Sequence, residues 1–347
     1  MLSRKKLFLI YTEAYLHYAK KKKGSYSYKC NESSYEFERN KNVTIFKDRE
    51  LWRKCGINGT SFSVEYPRFN IPIIHTKCST VNALLISRKY IERQDKENFL
   101  VPNVVHYILF GNVKFKFLDY LSFKSSDKLI KPRYIFVHGD YNISQDHGVW
   151  WTRMLEDVAN VYYMPSPKIE YIQGKKVSRL DLMADVLRLQ ILQENGGIYL
   201  DTDVIVLKSF DPLRRSYPLT LGRPSSISLA NGIMIAAPHQ PFMCVWYNGY
   251  RDYDPQMKGA WGYFSVRTAN KLSKIFPDHI HIEERSLLHP SWANGELPLL
   301  FQKHYDWSKN YAIHVWRRLK PVPEGPKQIE KLNCTLGEIM RYVYFLT

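Results

Sequence analysis

The stretch "GGIYLDTDVIVL", residues 196–207, decides how this chain is read. Ile198, Leu200, Val204, Ile205, Val206 and Leu207 give it the look of a buried strand, yet Asp201 and Asp203 lie inside the run. Buried carboxylates are costly unless they are paired, hydrogen-bonded or bound to a metal. On an extended backbone residues i and i+2 point to the same side, so the two acids are expected to face one space and to repel each other. A divalent cation relieves that repulsion. A hard cation accepts one or two protein carboxylates when a diphosphate and water supply its remaining oxygens. The competing reading, two acids at a solvated strand end, requires no ligand.

The preceding segment favours the first reading. Residues 178–195 carry apolar positions on two faces (Leu180, Met183, Ala184, Leu187 and Ile191; Leu182, Val186 and Leu189), the pattern of a largely buried helix. Ser178 and Asp181 have capping-box spacing at its start, and Asn195, Gly196 and Gly197 supply its stop. Asp181, Asp185 and Arg188 form one polar stripe along it. Asp185 and Arg188, at i and i+3, are close enough to pair, and a plain intrahelical ion pair is the simpler reading of them. Their position just upstream of the Asp201/Asp203 pair gives them a second one, as part of the same site.

The rest of the chain fits an α/β domain. "VPNVVHYILFG" from Val101 and "RYIFVHGD" read as buried strands, "GVWWTRMLEDVA" as a helix, and "VYYM" as a short strand stopped by Pro165, with a mixed segment around "FKFLDYLSF". Strands alternating with helices predict a mainly parallel sheet with its ligand beyond the carboxyl ends of the strands. Residues 100–347 are taken as this α/β domain. Residues 1–99, rich in Lys, Asn, Ser and Glu, are taken as an N-terminal or stem-like region.

With 347 residues and 45% hydrophobic content, the chain is long enough to bury a substantial core. Its formal net charge of +17 favours anionic partners, among them the diphosphate of a nucleotide. Zinc-finger spacing and RNP-like segments are missing from the sequence, so a nucleic-acid partner is not expected. The five cysteines, Cys30, Cys55, Cys78, Cys244 and Cys334, have no CxxC spacing; three precede residue 80, and one or two disulfides are expected there, with an odd thiol left over. Five sequons, at Asn31, Asn42, Asn58, Asn142 and Asn333, point to the secretory pathway. The apolar core at residues 7–11 is shorter than a signal peptide or a spanning helix needs. Three alternatives stand: an anchor encoded upstream, a soluble protein, or surface association with a membrane through the basic N-terminus.

"ADVLRLQILQENGGIYLDTDVIVLKSFDPL" resembles the sugar-binding region with a DXD motif of glycosyltransferase family 32, which includes mannosyltransferases and the animal α1,4-galactosyl- and α1,4-N-acetylglucosaminyltransferases. The same succession, Asp-x-x-Arg, Gly-Gly-x-Tyr, Asp-x-Asp, occurs in the large clostridial glucosylating toxins. The resemblance implies a Rossmann-like GT-A fold, a UDP- or GDP-linked sugar donor, Mn(II) or Mg(II), and transfer of a hexose or N-acetylhexosamine to a glycan, glycolipid or glycoprotein with retention of configuration. A non-catalytic nucleotide-sugar or carbohydrate-binding protein of the same fold is the alternative. Carried over by position, Asp203 is the direct metal ligand, Asp201 contacts the ribose or sugar and binds the ion through water, and Asp185 and Arg188 hold the donor sugar's hydroxyls. "NGIMIAAPHQPFM" and "YAIHVWRRLK" resemble later family segments and add Asn231 and Gly232 at the donor site and His314 as a third ligand. Arg317 and Arg318 are read either as phosphate partners or as surface. Trp150, Trp151, Trp261 and Trp292 are read as core packing or as stacking platforms for sugar or base. The resemblance also implies a Golgi lumenal enzyme.

Overall fold

The computed structural model describes residues 48–57, 99–111, 114–140, 147–166, 168–172, 174–254, 256 and 262–347. Within these the chain builds an α/β body around a seven-stranded mixed sheet. In chain order its strands are β1 (Val104–Leu109), β2 (Tyr134–Gly139), β3 (Val161–Pro165), the hairpin β4 (Tyr171–Ile172) and β5 (Lys175–Lys176), β6 (Gly197–Leu200), β7 (Val204–Val206), β8 (Leu219–Ser225), β9 (Ser228–Ala236), β10 (His281–Glu283) and β11 (Ala312–His314). The main sheet runs β10-β8-β9-β6-β1-β2-β3, and β7 pairs with β11 in a separate ribbon. Four neighbour pairs are parallel (β1 with β2, β2 with β3, β1 with β6, β10 with β8), while β9 is antiparallel to both β6 and β8.

The sheet is buried on both faces, as mainly parallel sheets are. Alternate residues of β6 divide between two cores: Ile198 and Leu200 join Val105, Tyr107 and Val137 beneath the helices Phe117–Ser125 and Thr335–Tyr344. Tyr199 faces the other way, onto the helices Leu180–Asn195 and Pro241–Asn248. After β3 the chain returns through Leu180–Asn195 to lay β6 on the far side of β1. The strand order therefore switches direction between β1 and β6, and the crevice beyond their carboxyl ends is where an α/β sheet holds a ligand. Asp201 is the first residue past the end of β6.

Several local expectations change. "FKFLDYLSF" is helical, Phe117–Ser125. Pro165 is the last residue of β3 rather than its stop, tolerated because β3 is an edge strand. Ser178 does not cap the following helix: its N-cap is Arg179, without a side-chain cap bond, and Asp181 instead accepts from Leu182 N at 2.9 Å and from Arg179 Nη2 at 2.6 Å. The glycine stop does hold. Gly196 and Gly197 have φ of +63° and +108°, and a Cβ on Gly197 would lie 2.8 Å from Val104 O and 2.9 Å from His106 Nε2.

The cysteines also pair differently. Cys55, just after the helix Arg49–Lys54, is bonded to Cys244, 189 residues away, and Cys334 is a buried free thiol. The disulfide, an Asp48–Arg251 ion pair at 2.7 Å and the edge-on contact of Trp52 with Phe276 fasten residues 48–57 to the body. Cys30, Cys78, Trp261, the lysine run at residues 20–23, the N-terminal apolar segment and the sequons at Asn31, Asn42, Asn58 and Asn142 lie outside the described residues.

Candidate active site

The run at residues 196–207 is not one strand. It is β6, a turn at residues 201–203, and β7. The two carboxylates converge because of that turn, not because an extended backbone alternates. Asp201 N donates to Gly232 O at 2.8 Å and Val204 N to Asp201 O at 3.0 Å, which fixes the turn against β9. The pairing of β11 with β7 places His314 opposite Val204, and Val315 N donates to Asp203 O at 2.8 Å. His314 Nε2 then lies 3.6 Å from Asp201 Oδ2 and 3.6 Å from Asp203 Oδ1.

The imidazole is held from its other side. Trp316 stacks on it with ring centroids 3.9 Å apart, and Trp316 N donates to Nδ1 at 3.1 Å, so Nε2 is the nitrogen presented to the carboxylates. Trp316 adopts φ of +56°, an outlier for a bulky residue and the kind of strain that collects at functional sites.

Behind this cluster lies a buried polar network. Arg188 donates through Nη1 to Asn231 O at 2.8 Å, and its guanidinium lies 3.2 Å from Asp185 Oδ1 and 3.3 Å from Asp201 Oδ1. Asn231 Nδ2 donates to Asp185 Oδ1 at 2.8 Å, and Tyr199 OH to Asp201 Oδ1 at 2.7 Å. Burial works to raise the Asp201 carboxyl, but Arg188, His314 and Tyr199 outweigh it and hold Asp201 well below the usual carboxylate range. Asp185 goes the other way: burial pushes it up to about 6 against the pull of Arg188 and Asn231. Burial opposes protonation of His314, and the charges of Asp203 and Asp201 override it. Asp185 Oδ2 is buried without a hydrogen-bond partner among the described residues. A buried acceptor in that state is expected to receive a donor from a ligand or a water.

The site tests well for a divalent cation. One carboxylate oxygen from each of Asp201 and Asp203 and a ring nitrogen of His314 lie within 4.8 Å of one another. Two carboxylate oxygens and one imidazole nitrogen could hold a divalent cation, with positions left for further ligand oxygens or water. Gly232 makes the space. A Cβ there would lie 2.8 Å from Asp201 Oδ2 and 3.0 Å from His314 Nε2.

Asp185, Arg188, Asp201, Asp203, Asn231, Gly232 and His314 are therefore one contiguous cluster. The "NG" at Asn231 and Gly232 is strand β9, not a turn. Arg317 belongs to the cluster and Arg318 does not. Arg317 N donates to Asp203 Oδ2 at 3.2 Å, Nη2 to Thr202 Oγ1 at 2.7 Å and Nη1 to Asp119 Oδ1 at 2.5 Å, whereas Arg318 is an exposed side chain 3.4 Å from Asp181. Sequence reasoning passed over Asp119. The signal was there, a lone acid inside the apolar run "FKFLDYLSF", the same anomaly that singles out Asp201 and Asp203. Trp151 is buried against Phe115, and the half-buried Trp150 packs against Phe117 and Tyr120.

Residues 133–220 match the family model described as glycosyltransferase sugar-binding region containing DXD motif. This part of the chain is such a region, and Asp201-Thr202-Asp203 is its DXD motif. The chain is 30% identical over 247 residues to glucan organizing enzyme 1 of Cryptococcus neoformans var. grubii, covering 65% of this chain and 64% of that protein. It is 23% identical over 177 residues to the human alpha-1,4-N-acetylglucosaminyltransferase, covering 47% of this chain and 49% of the other. The matched span is thus under two thirds of either relative's length. Among solved structures, the glycosyltransferase GlyE of Streptococcus pneumoniae TIGR4 aligns over 71% of this chain and 61% of its own, at 11% identity and a TM-score of 0.41.

Proposed function

We propose that this chain is a metal-dependent, retaining glycosyltransferase of GT-A type that moves a hexose or N-acetylhexosamine from a UDP- or GDP-linked sugar to a glycan, glycolipid or glycoprotein. The observation that carries the reading is the convergence of Asp201, Asp203 and His314 on one point beside the buried Arg188–Asp185–Asn231 network. A cation held by Asp203, Asp201 and His314 would act as a Lewis acid towards the leaving diphosphate. Asp185 Oδ2, free to accept, takes a hydroxyl of the donor sugar, and Arg188 holds Asp185 and Asp201 in place with its rigid fork. Arg317, fixed between Asp119 and Thr202, sets a positive charge beside the motif, where negative charge develops as the diphosphate departs.

Double displacement needs a carboxylate free to attack the anomeric carbon. Asp185 and Asp201 are each tied to Arg188, and Asp203 accepts from Arg317 N. This favours a front-face route, in which the acceptor attacks from the side the diphosphate leaves. Residues 100–347 are the catalytic domain in this reading, with residues 48–57 stapled to it.

The Cys55–Cys244 disulfide suits an oxidising compartment and supports a lumenal, Golgi-type location, with Asn333 among the glycan acceptors. Among the described residues, no helix is long and apolar enough to cross a membrane. A shift in mobility after N-glycan removal from protein made in its own cells tests the location.

The activity is tested by incubating the chain with Mn(II) and UDP-galactose, UDP-glucose, UDP-N-acetylglucosamine or GDP-mannose and measuring nucleotide release with and without glycoside acceptors. Release from one donor, silenced reversibly by EDTA and lost in Asp203→Asn with the fold retained, is the expected result. Binding of a donor with no release under any condition would establish the non-catalytic alternative.

A further inference from the structure

Beyond the motif, a cavity of about 270 Å³ opens beside Trp292, lined also by Leu297, Pro298, Phe301, Gln302 and Lys320. Trp292 is 43% exposed, while its neighbours Ser291 and Ala293 are buried. The loop that presents it is tied down at several points. Glu296 accepts from Ser291 N at 3.0 Å and pairs with His289 at 2.6 Å and Arg285 at 3.0 Å, and Ser291 Oγ donates to Pro224 O at 2.8 Å. A large indole on a fixed loop, left in solvent next to an apolar cavity, is the arrangement of a preorganised binding surface rather than of an unfinished core.

Two covalent and hydrogen-bonded paths connect this cavity to the motif. Trp316, stacked on His314, donates through Nε1 to Pro290 O at 3.3 Å, two residues before Trp292. Lys320 follows by three residues Arg317, whose N–H binds Asp203, so its Cα lies at most roughly 11 Å from that of Arg317 by the reach of an extended chain. The segment that carries His314 and Arg317 is thus bonded to the loop on one side of the cavity and runs on into its lining at Lys320.

The lining also restricts the occupant. Its volume is just below the roughly 300 Å³ at which pockets for drug-sized ligands begin, which suits a single sugar ring. A pyranose has an apolar C–H face to lay on an indole and hydroxyls at its rim, and Gln302 and Lys320 provide an amide and an ammonium for hydrogen bonds. We infer that Trp292 and the cavity beside it form the acceptor subsite, holding one saccharide ring of the acceptor glycan by stacking. The inference rests on the transferase reading for the word acceptor, and on the loop alone for saccharide binding.

The test separates the two. The full chain, without nucleotide or metal, is titrated with methyl β-lactoside, methyl α-mannoside and methyl N-acetyl-α-glucosaminide, and binding is followed by saturation-transfer NMR and tryptophan fluorescence. The wild type is expected to bind at least one of them, Trp292→Ala to bind it at least tenfold more weakly, and Trp292→Phe to stay within about threefold of wild type. In turnover with the same glycoside, Trp292→Ala is expected to raise the acceptor KM at least tenfold while kcat falls far less. Because the side chain is exposed, thermal melts of both variants should match the wild type. Equal affinity in Trp292→Ala, or no binding of any glycoside by the wild type, overturns the subsite. Trp292-dependent binding without nucleotide release from any donor upholds the saccharide site and overturns the transferase reading instead.

Discussion

Gly232→Ala separates the folding role of strand β9 from its role at the motif. A Cβ at this position would meet Asp201 Oδ2 at 2.8 Å, His314 Cδ2 at 2.9 Å and His314 Nε2 at 3.0 Å. Ordinary contact begins at 3.4 Å, so the carboxylate must retreat by 3.4 − 2.8 = 0.6 Å, or the imidazole by nearly as much. Neither has room to do so freely. Asp201 is held by Tyr199 OH at 2.7 Å, and His314 is clamped by the Trp316 ring and by Trp316 N. Catalytic constellations tolerate about 0.5 Å of error, and a 1 Å misplacement costs about 100-fold in rate. The expected loss in kcat/KM is therefore about 10- to 100-fold, or about 1.4 to 2.7 kcal/mol of transition-state stabilisation.

Stability should change far less than activity, because the strain of displacing Asp201 or His314 is offset in part by the gain from replacing a strand glycine. Gly232 is not at positive φ, and glycine inside a strand is worth roughly 0.5–1 kcal/mol less than alanine. The assay pairs a thermal melt with nucleotide release across a Mn(II) titration. A folded Gly232→Ala protein with a weakened Mn(II) requirement curve and slow release is the expected combination. Wild-type release at wild-type Mn(II) concentrations would refute the claim that Asp201 and His314 share the space this glycine leaves open.

Three further outcomes are expected. Arg188→Lys keeps the charge but loses the fork that reaches Asn231 O, Ala184 O and two carboxylates, and kcat/KM should fall at least about tenfold; an unchanged value returns the Asp185–Arg188 pair to a structural ion pair. Asp119→Asn and Arg317→Ala should each lower nucleotide-sugar affinity, and the double variant should be no worse than the poorer single one, because both act through one guanidinium; additive losses in the double-mutant cycle would separate them. The buried His106 ring, pushed down to about 4 by burial despite its bond to Gly196 O, must stay neutral in the fold but protonates from 6.5 downward when unfolded. As pH falls from about 6.5 to 4 this ring alone should remove about 3 kcal/mol of stability, so urea melts of His106→Gln should lose less in acid than the wild type, and parallel losses would contradict the assignment.

The sequence made the anomaly visible but not its geometry. Asp201 and Asp203 stand out because apolar residues surround them, and the glycine pair and the buried helix before them are equally readable. The turn at residues 201–203 was not, because periodicity cannot distinguish one continuous strand from two short ones that bend between sheets. Asp119 escaped for a different reason. Its partner Arg317 lies 198 residues away, and no local pattern announces a contact of that span. Cysteine pairing is likewise beyond spacing arguments, and Cys55 found Cys244 rather than a nearer thiol.

His314 shows how much of the chemistry depends on tertiary register. It reaches the motif only through the two-stranded pairing in which His314 faces Val204, Ile313 faces Ile205 and Ala312 faces Val206. Side chains alternate along a strand, so a slip of one residue in β11 would turn the imidazole to the opposite face and bring Ile313 to the carboxylates. Three bonds oppose that slip from beyond the ribbon's end: Val315 N to Asp203 O, Arg317 N to Asp203 Oδ2 and Arg317 Nη1 to Asp119 Oδ1. All three tie the segment after β11 to the motif turn or to the helix beside it. The same residues that place charge next to the motif thus also fix the strand that delivers His314, so substitutions at Asp119 should disturb cation binding as well as nucleotide binding, although the hydrogen bonds of Asp119 go to Lys116 N and Arg317.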